Sequence, residues 1–226
     1  MKIKVFIFTL LLLYQFSFSQ KDFKLDIDCF LLGMFDDYNG REIPLKHPFE
    51  STRINSFYCT EKKLKIIFVD SIKNNYSLSD LEVKYNTVYS KSLSKRLNKY
   101  YNINKDKDGG FIIDDIDYSS YIMKLKRSSF LSNKKKVSFI LGAFLRYGKI
   151  KNDRFEIDMA NSLSHFDILV WSMKELGFKY KDEIPCPKCI PVGQIVNFEP
   201  TEDYIKLFKN IKPFELDESD CNEKGL

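Results

Sequence analysis

Histidine is scarce in this chain: two in 226 residues, His47 and His165. Any Ser-His-Asp or Cys-His site must therefore use one of these two, and neither has a recognisable nucleophile motif nearby. There is one tryptophan, and only nine glycines and seven prolines, which excludes a collagenous or low-complexity chain. No apolar run reaches the length of about 20 residues that a membrane-spanning helix needs. The longest is Val5 to Leu13, and Phe139–Leu145 and Ile168–Trp171 are shorter still. A concentrated charge of one sign is missing too. The formal charge of +5 falls to +3 without Lys2 and Lys4. The tightest basic run, Lys134-Lys135-Lys136, reads as the solvated start of a helix, so the composition predicts no nucleic-acid partner.

What is present begins with the N-terminus. Lys2 and Lys4, an apolar stretch, and Ser17 and Ser19 before Gln20 follow the order of a secretory signal peptide. The expectation is cleavage after Ser19, no membrane insertion of the mature chain, and a secreted or periplasmic location. A 44% hydrophobic, 15% aromatic composition predicts a packed globule. No internal repeat is visible.

The second half is the more legible. Ser132 reads as the N-cap of a helix carrying Val137, Ile140, Leu141 and Phe144, with Gly148 as its stop. Phe155, Ile157 and Met159 alternate with acids as in a half-buried strand. Ser164 is the predicted cap of a second helix, ending at Gly177. Strands over Phe178–Ile184 and Val192–Phe198 and a last helix after Pro200 complete an α-β-α-β-β-α unit. The fold class is thus α+β with a small, largely antiparallel sheet. The first half is mixed α/β of uncertain topology, with strands predicted over Leu64–Val69 and Leu81–Tyr85 and a helix carrying Val88, Leu93, Leu97, Tyr100 and Tyr101. The division is a signal peptide over 1–19, subdomains over 20–130 and 131–214, and a flexible tail over 215–226.

Phe139-Ile140-Leu141-Gly142-Ala143-Phe144-Leu145-Arg146-Tyr147-Gly148, followed by a strand and a helix ending at Leu176-Gly177, resembles the entry to a LAGLIDADG-type homing-endonuclease fold. In that family an acidic metal ligand precedes the final glycine of the helix. Tyr147 stands at that place here, so the resemblance implies architecture and not metal-dependent DNA cleavage.

Five cysteines occur. Cys186-Pro187-Lys188-Cys189 fits a redox motif, half of a zinc ribbon or a short structural disulfide. The redox reading needs a following helix to lower a thiol pKa, and Pro191 and Gly193 forbid one. Zinc needs a second ligand pair, which the sequence lacks. A Cys186–Cys189 disulfide follows for an exported chain, with Cys29–Cys59 as a second bridge. Residues 104 to 115 resemble an EF-hand calcium loop, with Asn104, Asp106, Asp108, the carbonyl of Gly110 and Asp115 at the ligand positions and Gly109 at the turn. The shorter, less charged ligand set predicts weak calcium binding. Asp36-Asp37 and Asp114-Asp115-Asp117 are candidate carboxylate pairs for a glycosidase-type site. The functional expectation is a secreted or periplasmic non-catalytic binding or structural protein with a protein or glycan ligand. The alternative is an extracytoplasmic hydrolase using paired carboxylates.

Overall fold

The computed structural model describes residues 23–35, 52–113, 116–151, 154–160, 162–185 and 193–215, with side chains described outside 104–122. Fifteen regular elements follow one another. They are α1 (Ile27–Gly33), β1 (Arg53–Ser56), α2 (Lys62–Asn75), β2 (Glu82–Lys84), β3 (Thr87–Tyr89), α3 (Lys91–Leu97), β4 (Tyr101–Ile113) and β5 (Ile116–Leu125). Then come α4 (Asn133–Tyr147), β6 (Gly148–Lys151), β7 (Arg154–Ala160), α5 (Leu163–Glu175), β8 (Lys179–Glu183), β9 (Gly193–Glu199) and α6 (Glu202–Asn210). The class is α+β, and every sheet is antiparallel.

The order repeats. In the second half the sheet runs β6-β7-β9-β8, and in the first β1-β3-β2. Among the described residues each half has a leading helix, then one strand in the first half and the β6–β7 pair in the second, a helix, a two-strand return and a closing helix. The return strand lies in the middle of both sheets. The structure therefore contains a repeat that the sequence hides. The long β4–β5 hairpin joins the halves, from Tyr101 opposite Leu125 to Ile113 opposite Ile116.

The two leading helices lie side by side and run the same way. Asp26 N–H donates to Ser138 Oγ at 2.9 Å, Arg146 Nη1 to the Met34 carbonyl at 2.7 Å, and Tyr147 O–H to the Phe35 carbonyl at 2.6 Å, all at a constant sequence offset of 112. Glycine makes this approach reachable. A Cβ on Gly142 would sit 2.0 Å from the Phe30 carbonyl oxygen, and one on Gly33 would sit 2.1 Å from that of Phe139. The contact is reciprocal: each glycine faces the carbonyl three residues before the other glycine. Leu31, Leu32, Ile140 and Leu141 are fully buried around it.

The second-half helices follow the sequence closely. Ser132 Oγ accepts from Lys135 N–H at 3.3 Å, and Gly177 closes α5 at φ +70. Ser164 does not cap α5, which starts one residue earlier. Its hydroxyl instead accepts from Leu125 N–H at 2.8 Å and ties the hairpin to the helix. Phe155 and Phe198 on the sheet, and Phe178 just before β8, pack against Phe144 and Phe208, with ring centroids 5.5 to 5.9 Å apart between Phe144 and its partners Phe155, Phe198 and Phe208. In the first half Leu64–Val69 is helix, not strand. Leu64, Phe68 and Ile72 are fully buried at spacings of four, while the intervening Lys65 and Ile66 are not buried, and that periodicity overrides the local β-branched run. Val88 belongs to β3, and Tyr85 sits in the turn before it at φ 51.

Candidate functional site

Two features stand out from the packed core. The first is the C-terminal end of the helix pair. There Arg146 is wholly buried and forms a two-pronged ion pair with buried Glu61, Nε to Oε1 at 2.9 Å and Nη2 to Oε2 at 2.8 Å. Its remaining donors reach the carbonyls of Met34 and Ser56, the second at 3.1 Å. Asn55 Nδ2 donates to the same Met34 carbonyl at 3.1 Å. The guanidinium lies over the rings of Phe57 and Tyr147, 5.1 and 5.3 Å from their centroids. A planar fork with five donors suits such saturation, which a lysine could not supply. The sequence pattern had marked this helix end through Tyr147. The structure shows it occupied by a buried cation and a phenol, both bonded to the two residues that follow α1. Among the described residues no group of three or more His, Cys, Asp or Glu could hold a metal ion.

The second feature is the outer face of the sheets. In β7 and β9 the residues Phe155, Ile157, Met159, Val196 and Phe198 point to the core, so Glu156, Asp158, Ile195 and Asn197 point outward. One polar row crosses all four strands: Lys149, Glu156, Asn197, Lys181. Lys151 and Arg154 extend the basic edge at β6, and Lys179 extends that at β8. Lys149 Nζ donates to Asp158 Oδ2 at 2.9 Å, which raises the lysine pKa. Lys179 stands 3.9 Å from Glu199 with both groups largely exposed, a contact worth little. The first half has a corresponding row across its three strands, Ser56, Thr87, Lys84, in which Ser56 is buried and its hydroxyl accepts from Arg53 Nη2 at 2.8 Å. Ser56 and Thr87 share a hydroxyl hydrogen bond at 3.0 Å. Both rows thus carry short polar side chains or amide and carboxylate groups in the middle, and a lysine on the outer strand.

The residues singled out from sequence are dispersed. Cys29 is a free, fully buried thiol, so the Cys29–Cys59 bridge is not formed. Burial and the neighbouring Asp26 push that thiol's pKa up. Cys59 is disulfide-bonded to a residue other than Cys29. Cys186, Cys189, His47, Asp36, Asp37 and residues 1–19 lie outside the described residues. Asn104, Asp106, Asp108 and Gly110 fall on the backbone of β4, where the ladder passes from Lys105–Tyr121 to Gly110–Ser119. Their side chains, and Asp114 and Asp115, lie outside the described residues. His165 is structural: its Nε2 is 2.9 Å from the Leu32 carbonyl, buried between Phe139 and Tyr101. Sequence reading missed Arg146, Glu61 and the outer rows. The available signal for Arg146 was a lone cation inside an otherwise apolar helix.

No protein-family model matches the chain, and no curated protein matches it. Solved structures do. Mesophilic variants of the homing endonuclease I-DmoI are 16% identical over 82% of this chain and 94% of that one, with a TM-score of 0.46. The same enzyme in complex with DNA and Ca is 14% identical over 86% and 95%, at 0.43. A variant with nicked target DNA and Mn is 16% identical over 84% and 97%, at 0.46. At such identity the likeness concerns the fold alone. The second and third of these structures are described as complexes with DNA. Against them the expectations of a secreted or periplasmic non-catalytic protein, of an extracytoplasmic hydrolase, and of partners that exclude nucleic acid are corrected. The physical reason lies in the inference from bulk charge. A net charge averaged over the chain does not register where the cations stand, and here they line the sheet edges. Among the described residues no helix is long and apolar enough to cross a membrane.

Proposed function

We propose that this chain binds duplex DNA with the outer faces of its two sheets. The observation that supports it most is the pair of corresponding polar rows, Ser56-Thr87-Lys84 in one half and Glu156-Asn197-Lys181 in the other. A duplex has an approximate two-fold axis perpendicular to its length, and proteins that use it present the same surface twice. Strands are one of the elements that enter grooves. Cations at the strand edges suit phosphates, which position the protein. Glu, Asp and Asn side chains at the centre suit base edges, which specify sequence, with Ile195 placed for a thymine methyl. The acidic members of the row oppose non-specific attraction, so this reading expects weak general binding and sharper discrimination between sequences.

The test is fluorescence anisotropy of labelled 30-base-pair duplexes, from a random pool and from a pool selected on the protein. Binding should be measurable at 50 mM salt and weaken steeply by 200 mM. Lys84→Glu combined with Lys181→Glu, one change in each half, should weaken binding by tenfold or more and lower the salt slope by about two. A protein that binds no duplex at 50 mM salt overturns the proposal, as does a double variant with unchanged affinity.

A weak calcium site at Asn104, Asp106, Asp108, Gly110 and Asp115 is proposed separately, on the order of its oxygen donors and the break in the β4–β5 ladder at those residues. Extracellular modules with such loops work at about 10⁻⁴ to 10⁻³ M. Calorimetry at millimolar calcium should give heat that Asp106→Ala/Asp108→Ala abolishes. Heat that survives the double change refutes the assignment.

A further inference from the structure

We infer that a second site, unrelated to the sheet faces, takes a small organic phosphate monoester between α3 and the Tyr76–Leu78 segment that follows α2. A cavity of about 350 Å³ lies there, lined by Tyr76, Leu78, Leu93, Lys95, Arg96 and Lys99 among others. Its size is at the lower end of small-ligand pockets, and its mix of apolar wall and convergent polar groups is what such pockets share.

The cations are arranged, not merely near. Arg96 Nε donates to both carboxylate oxygens of Asp28 at 2.8 Å. Asp28 is itself buried, and it also accepts from the hydroxyls of Tyr76 and Tyr100. The Arg96 guanidinium rests over the Tyr76 ring, 5.3 Å from its centroid. One edge of the guanidinium is thereby fixed by protein, while its terminal nitrogens make no hydrogen bond among the described residues. An oriented fork with free donors is the group that binds phosphate by two parallel hydrogen bonds. Lys95 and Lys99 are four residues apart, exposed, and in no ion pair among the described residues. No acid lines the cavity. Asp28 meets the cavity wall through Arg96 and Tyr76, and its oxygens are occupied by those two groups and Tyr100; the Asp80 carboxylate accepts from Ser92 N–H at 2.8 Å, Ser92 Oγ at 2.6 Å and Ser90 Oγ at 2.8 Å. Those bonds hold its pKa at about 2 and occupy its oxygens. Two lysines, unpaired among the described residues, and the Asp28-anchored Arg96 fork then face a dianion, and Leu78, Leu93 and the Tyr76 ring offer the organic part an apolar wall.

Phenyl phosphate is the probe, with inorganic phosphate and benzenesulfonate as comparisons, followed by calorimetry or amide-shift titration of the full chain at 150 mM salt. The expected order is phenyl phosphate tightest, by at least fivefold over either comparison. Lys95→Met/Lys99→Met touches only exposed side chains and should weaken phenyl phosphate tenfold or more with an unchanged melting temperature. Arg96→Lys keeps the charge but loses the fork, and should weaken it comparably. Equal affinity for all three anions would mean a diffuse field and would overturn the site. So would binding unaffected by the lysine pair, or displacement of phenyl phosphate by an unphosphorylated blunt duplex, which would make the pocket part of the DNA surface. Lys84→Glu/Lys181→Glu should leave phenyl phosphate binding unchanged, so failure of this site and failure of the DNA reading are separable.

Discussion

Gly142→Ala should destabilise the fold strongly. The new Cβ would stand 2.0 Å from the Phe30 carbonyl oxygen and 3.3 Å from the Gly33 Cα. Both neighbours are backbone of a packed helix, so no rotamer relieves the overlap and α1 must move away from α4. Alanine ordinarily favours a helix interior over glycine by about 1 kcal/mol. Here that gain is overwhelmed, since overpacking a tight core costs about 1–3 kcal/mol and more where backbone must shift. We expect a loss of 3 kcal/mol or more, read as a fall in the urea midpoint. Gly33→Ala should behave alike, because its Cβ meets the Phe139 oxygen at 2.1 Å. The two changes share one contact, so their effects should fall well short of additive. A Gly142→Ala protein as stable as the parent would show that the helices do not touch backbone to backbone.

The second large effect is expected at Arg146 and Glu61. Both side chains are almost free of solvent, at 0% and 6% exposure. Removing one leaves the other charged and buried, which costs about 3–5 kcal/mol. Arg146→Met should approach that loss, because it strands Glu61 and leaves the carbonyls of Met34 and Ser56 short of a donor. Glu61→Gln should cost less, since an amide still accepts one hydrogen bond. The informative protein is Arg146→Met/Glu61→Met. It lacks both charges, and it should be more stable than Arg146→Met alone, since an apolar pair avoids the uncompensated carboxylate. Chemical denaturation of the parent, Arg146→Met, Glu61→Met and the double variant completes the cycle. If the double variant is less stable than either single, the pair is not the unit described.

How far the sequence could be read follows from where the determining contacts lie. The second half was legible because its signals are local. Ser132 caps within three residues, Gly177 turns on its own φ, and β7 alternates along its own length. The first half offered strands of three or four residues and a leading helix of seven, too short to show a period. Its longest helix, α2, carries Ile66, Ile67 and Val69, β-branched residues that imitate a strand until the burial of Leu64, Phe68 and Ile72 is seen. The repeat escaped notice for the same reason, since it resides in topology and in the reciprocal glycines, not in residue identity. Ser164 looked like a cap because it stands where a cap would stand, yet its hydroxyl serves Leu125, 39 residues earlier. Arg146 and the outer rows depend on partners far away in sequence: 85 residues separate Arg146 from Glu61. No window along the chain contains such pairs. Net charge is an average and edge lysines are a pattern, so the composition could not show where the cations stand.

The side-by-side helices also set a constraint in time. α1 has seven residues, well below the length at which an isolated helix holds together in water. Its buried surface is provided chiefly by α4, which is synthesised more than a hundred residues later. At about 5–20 residues per second, the ribosome leaves Phe30, Leu31 and Leu32 without their partner for roughly 5–20 s. The first half must therefore wait in a partly formed state with an apolar helix segment uncovered. The completed chain closes when α4 arrives and the two glycines meet. Slowing synthesis between Leu125 and Asn133 should lengthen that exposure and raise the fraction captured by chaperones, whereas a circular permutant beginning just before α4 should shorten it.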